Sequence, residues 1–109
     1  MSLQAFGPRG PTANIACNAT ASVPVRVKGD GQSCYTYQLV NSGNAKCYFN
    51  YSPDPVVGVT IPTPGNPQYA VPVLPNEIVV YNLTPNAYFT AICESGDVTT
   101  LLVTPGEGM

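Results

Sequence analysis

Turn-forming residues interrupt this chain so regularly that no long element fits between them. Ten glycines and twelve prolines stand among its 109 residues. Clusters such as Gly29-Asp30-Gly31, Asn41-Ser42-Gly43-Asn44, Ser52-Pro53-Asp54-Pro55, Thr84-Pro85-Asn86 and Glu94-Ser95-Gly96-Asp97 separate short runs rich in β-branched and aromatic residues. Val23, Val25 and Val27 alternate with Pro24, Arg26 and Lys28, the period of a strand with one buried face. Further strands are expected over Cys34 to Val40, Cys47 to Tyr51 and Val56 to Ile61, the last with Gly58 marking a bulge. Five prolines between 62 and 76 confine any strand there to a short or edge position, because proline cannot donate to a ladder. Glu77 to Leu83, Ala87 to Cys93 and Val98 to Val103 complete the series. Ala13 to Ala21 is Ala-rich, yet the alternation of Ala13, Ile15 and Cys17 reads as a strand. About eight short strands at a spacing of about 8–12 residues give the rhythm of an all-β sandwich or barrel.

Residues 1–11 break that rhythm. Met1 to Pro11 lacks any period and holds two glycines and two prolines, so it is expected to be an extended arm outside a single domain over 12–109. It has no apolar core of the kind a signal peptide needs, which points to synthesis in a cytoplasm. No stretch approaches the ~20 apolar residues that span a bilayer, so no membrane partner is expected. Four basic residues (Arg9, Arg26, Lys28, Lys46) and a net charge of −2 cannot build a large basic patch, which argues against nucleic acid.

Chemistry is sparse. The chain has no histidine, which excludes imidazole acid–base catalysis and His-ligated metals. Cys17, Cys34, Cys47 and Cys93 contain no CxxC spacing, and they read as buried free thiols acting as small hydrophobes. The alternatives are a four-thiolate metal site assembled from separate strands, or two disulfides in a secreted chain. Asp30 and Asp97 sit beside glycines, where aspartate is simply a good turn residue, and the remaining acids (Asp54, Glu77, Glu94, Glu107) form no spaced pair. No phosphate-cradling glycine loop and no calcium loop occur. Three Asn-x-Ser/Thr triplets, at Asn18, Asn50 and Asn82, are ordinary in so Asn- and Thr-rich a chain. The expectation is a protein with no catalytic residues, cofactor or metal.

Tyrosine carries the remaining signal. Seven of ten aromatics are Tyr and none is Trp. In alternating strands some must face outward, where an apolar ring with a polar tip suits an interface. Only 9% of residues are charged, low for a freely diffusing domain, and this predicts that neighbours cover much of the surface.

Val71-Pro72-Val73-Leu74-Pro75-Asn76-Glu77, Asn86 to Cys93, and the ending Leu101-Leu102-Val103-Thr104-Pro105-Gly106-Glu107-Gly108 resemble small virion proteins of tailed bacteriophages. Gln38 to Gly43 leading into Cys47 to Tyr51 is compatible with the same group. The resemblance implies a capsid decoration (cement) protein with a β-sandwich or jelly-roll body, bound outside the head lattice and bridging neighbouring capsomers. Its partner would be the major capsid protein, and a homo-oligomer (dimer or trimer) would be the natural unit. Contacts are then expected from Phe6 and Arg9 in the arm and from Tyr35, Tyr37, Tyr48 and Tyr51 in the strands. The four cysteines and the Pro-rich 53–75 segment depart from the group's pattern. Two other readings stay open: a low-copy head–tail, tail or fibre module, and a carbohydrate-binding attachment domain. The combined expectation is an antiparallel, jelly-roll-like β-sandwich on the capsid exterior.

Overall fold

The alternation seen in the sequence becomes two antiparallel sheets. A computed structural model describes residues 6–30 and 34–107. Its strands are β1 (Gly7–Pro8), β2 (Ala13–Cys17), β3 (Val25–Arg26), β4 (Thr36–Asn41), β5 (Cys47–Ser52), β6 (Val71–Val73), β7 (Ile78–Asn82), β8 (Tyr88–Cys93) and β9 (Thr99–Glu107), with no helix among the described residues. The first sheet has the order β2-β9-β4-β7, with β1 lying beside β2 on the same edge of β9; the second is β3-β8-β5-β6.

The pairings are nested. β2 pairs with β9, β3 with β8, β4 with β7 and β5 with β6, all antiparallel. The chain is thus one long antiparallel hairpin rolled up until β4 meets β9 and β5 meets β8. That is the jelly roll, and it matches the expected fold class.

Inward residues alternate as a half-buried sheet requires. Ile15, Cys17, Tyr37, Leu39, Leu101 and Val103 from the first sheet meet Cys47, Phe49, Val73, Phe89, Ala91 and Cys93 from the second. Phe89 sits among Tyr37, at 5.0 Å between ring centres and edge-on, and Phe49, at 5.9 Å. The accessible surface of 6137 Å² is close to the ~5,800 Å² expected of a folded chain of this mass.

Three elements differ from expectation. Val56 to Ile61 forms no strand: prolines on both sides prevent continuous pairing, and the segment crosses the second sheet instead, where Asn50 Nδ2 donates to the Gly58 carbonyl at 2.9 Å. The strand expected around Val23 shrinks to Val25–Arg26, because residues 18–22 already occupy that side of β8 through Cys93 N–H to Asn18 O and Ser22 N–H to Ala91 O. Strand β9 runs past Val103 to Glu107, because β1 supplies partners for Gly106 and Glu107.

Where it is described, the N-terminal segment expected as an arm runs along the edge of the first sheet. Gly7 and Pro8 pair with Glu107 and Gly106, and Arg9 N–H donates to Pro105 O. Between Pro8 and Ala13 four residues face only Thr104 and Pro105 on β9. The bulge falls where Pro105 and Pro11 both lack the N–H that a continuous ladder needs. Residues 1–5 of the expected arm lie outside the described residues.

Candidate interaction face

The outward residues of the first sheet follow from its inward ones. With Ile15, Cys17, Tyr37, Leu39, Leu101 and Val103 buried, and Val79 and Tyr81 packed against that core, Asn14, Ala16, Gln38, Val40, Ile78, Val80, Thr100, Leu102 and Thr104 point outward. Register aligns them in rows. Asn14, Leu102, Val40 and Ile78 lie side by side across four strands, and Thr104, Gln38 and Val80 form the next row. The Phe6 ring lies where a Gly106 side chain would stand, at one end of the same face. None of these side chains ionises. An aliphatic stripe, Leu102-Val40-Ile78 with Val80 adjoining, therefore crosses a face without charge, and Ile78 is 62% exposed.

The opposite face differs in both charge and cover. There the Lys46 ammonium lies 5.2 Å from the Tyr48 ring centre and 3.5 Å from Glu94 Oε2, while the Arg26 guanidinium lies 5.7 Å from the Tyr88 ring centre. Tyr48 and then Glu94 hold the Lys46 ammonium above its ordinary range. The Asn50–Gly58 bond draws the 53–70 loop over this side. Charged side chains thus stand on the outer side of the second sheet, whereas the outward residues of the first sheet's central rows carry none.

The residues expected to make contacts are scattered. Phe6 belongs to the neutral face, and Arg9 stands at its rim, its Nε 2.6 Å from Glu107 Oε2. Tyr35 is exposed. Tyr37 is not a contact residue: it is 0% exposed, and its hydroxyl donates to Thr84 O (2.7 Å), lies 3.1 Å from Cys34 O and accepts from Ala87 N–H (2.9 Å). Burial pushes this phenol's pKa up. Tyr48 is nearly covered, and Tyr51 packs inward with its ring 6.3 Å from that of Phe89. Aromatic content pointed to an interface of tyrosines, whereas the structure spends most of these rings on packing and presents aliphatic residues instead. Their signal was the doublets Val79-Val80 and Leu101-Leu102, where unbroken apolar runs show that both faces of a strand are apolar.

All four cysteines are buried and free. Cys47 and Cys93 are directly opposed on β5 and β8, and Cys17 approaches both from the other sheet. The Cys47 thiol and burial push the Cys17 pKa strongly up, and burial pushes that of Cys93 to about 11. Both shifts, at Cys17 and Cys93, favour the neutral thiol. No three His, Cys, Asp or Glu among the described residues are grouped to hold a metal ion. Glu77 accepts from Leu74 N–H at 2.9 Å and fixes a turn, while Glu94 and Glu107 are in ion pairs. A hollow of about 330 Å³ lies beside Pro67, Gln68 and Tyr69. No described helix is long and apolar enough to cross a membrane. No family model, curated protein or solved structure matches the chain.

Proposed function

We propose that this protein is a structural, non-enzymatic virion component that binds the outer surface of a tailed-phage capsid lattice and bridges neighbouring capsomers. The observation that carries the reading is the uncharged outer face of the β2-β9-β4-β7 sheet, crossed by Leu102, Val40 and Ile78. Such a face docks on another protein without desolvating charge, which suits a lattice partner better than a soluble substrate. The resemblance of 71–77, 86–93 and 101–108 to small phage virion proteins supports the same partner, the major capsid protein.

Bridging rests on multivalency. A copy that touches two capsomers makes its second contact intramolecular, so each contact needs only modest affinity. The protein would be made in the host cytoplasm and end on the capsid exterior.

Quantitative mass spectrometry of purified virions tests this. The expected result is a simple ratio to the major capsid protein, together with earlier bursting on heating of particles stripped of this chain. A handful of copies per particle moves the assignment to a head–tail, tail or fibre module. Absence from virions overturns it. In that case the exposed Tyr35 and Tyr69 direct the next experiment to glycan binding.

A further inference from the structure

A sheet edge is a row of unpaired backbone groups, and natural proteins usually guard it. Three of the four edges in this sandwich are guarded. The β1–β2 edge carries Pro8 and Pro11 and is broken by a bulge, which leaves β2 a five-residue run, Ala13–Cys17, poor in strand formers; β3 is two residues long and follows Pro24, and β6 contains Pro72. The fourth is different. Strand β7 reads Ile78-Val79-Val80-Tyr81-Asn82, with no proline, glycine or charge, and every residue but the last is a strong strand former.

The hydrogen-bond parity of β7 shows what this edge offers. Asn41 N–H donates to Glu77 O, and Leu83 N–H donates to Tyr35 O, so the odd-numbered residues of this stretch bond towards β4. In an antiparallel ladder the alternate residues turn their groups the other way. The N–H and C=O groups of Ile78, Val80 and Asn82 therefore face outward. Among the described residues no backbone bond outside the strand ladders ends on them.

We propose that β7 is a homodimerisation edge, pairing antiparallel with β7 of a second copy about a two-fold axis through Val80. Ile78 then faces Asn82 of the second copy, Val79 faces Tyr81, and Val80 faces Val80. Each copy donates from three N–H groups and accepts on three C=O groups, about six bonds in all. The two five-stranded sheets become one continuous ten-stranded sheet, and their neutral faces join.

Two features select a second copy over an unrelated strand. The pairing is self-complementary: no charge lies in the strand, and the nearest one, Glu77, falls opposite Leu83 rather than opposite its own equivalent. It is also closed. A two-fold pair consumes the one unguarded edge and leaves only guarded ones, so assembly stops at two. An open edge of this composition without such a partner is an aggregation site.

The dyad supplies a sharp test, made by sedimentation of the full chain from micromolar to millimolar concentration. Wild type is expected to dimerise. Val80→Lys and Val80→Glu each place like charges against each other at the axis and weaken association by more than about tenfold. An equimolar mixture of the two variants restores the dimer as a heterodimer. A monomeric wild type at millimolar concentration, dimers that persist in both single variants, or a mixture that stays monomeric overturns the proposal. Amide exchange on wild type gives a readout that needs no variant. Protection of Ile78, Val80 and Asn82 rises with concentration, whereas Val79 and Tyr81 are protected throughout; free exchange of the first three at every concentration overturns the pairing. The inference is independent of the capsid assignment, since a monomer found on virions removes the dimer and leaves the proposed function standing.

Discussion

Asn41 shows how one side chain ties this sandwich together. It is fully buried, and its amide is completely used. Nδ2 donates to Ala45 O (2.8 Å) and Val73 O (3.0 Å), and Oδ1 accepts from Thr99 Oγ1 (2.6 Å) and Gly43 N–H (3.2 Å). These bonds join the end of β4 to the following turn, to β6 in the other sheet and to the start of β9. The requirement for both donors and acceptors makes asparagine hard to replace. Asn41→Asp keeps the shape but removes both donors, orphans two buried carbonyls and sets a carboxylate among oxygens. The expected loss is about 3 kcal/mol or more, read as a lowered urea midpoint at pH 7. An unchanged midpoint would mean that the amide assignment at Asn41 is wrong.

Among the elements, β1 and β9 depend on each other through Gly106. A side chain there meets the Phe6 ring and the Gly7 carbonyl. Gly106→Val is expected to lift β1 off the edge while β2 keeps its own register on β9, so the loss is local, about 1–2 kcal/mol. Trypsin measures it: cleavage after Arg9 accelerates, while cleavage after Lys46 does not. Equal rates at both sites would mean that β1 does not rest on Gly106. The same pair of elements marks where the sequence was legible. Strands with a clean period, such as Ala13–Cys17 and Tyr88–Cys93, stand close to where alternation placed them. The two residues of β1 have no period to read, because their pairing depends on a partner 100 positions away. Val56 to Ile61 had strand composition, but the prolines that flank it keep it out of both ladders. The neutral face was hidden for a related reason: an apolar doublet does not say which of its members points out, and only the register settled that Leu102 and Val80 do. The tyrosines were visible, but which of them would pack inward, as Tyr37 and Tyr51 do, was not, since aromatic rings satisfy a core and an interface equally well.

For the whole molecule, the scarcity of charge concentrates pH sensitivity in the alkaline range. No histidine exists to titrate between about pH 5 and 8, and only six acids and four bases are present, so stability is expected to be nearly flat there. Above pH 8 the core itself begins to matter. The thiols of Cys17 and Cys93 and the phenol of Tyr37 all bind their protons more tightly folded than unfolded. The neutral form is the one the core accepts. The stability this represents is therefore fully present below the unfolded pKa and is lost as pH rises through the folded one. For Cys93 that window runs from 9.0 to about 11, and two units correspond to about 2–3 kcal/mol. Urea midpoints measured from pH 7 to 11 should hold and then fall across that window. A Cys17→Ala/Cys93→Ala variant should start lower at neutral pH, having lost packing, but show a shallower alkaline fall. An identical fall in both proteins would assign the transition to Tyr37 and to the Lys46 ammonium instead. A fall beginning below pH 8 would contradict protonated thiols in the core, because it requires a group whose proton leaves the folded state more readily than these do.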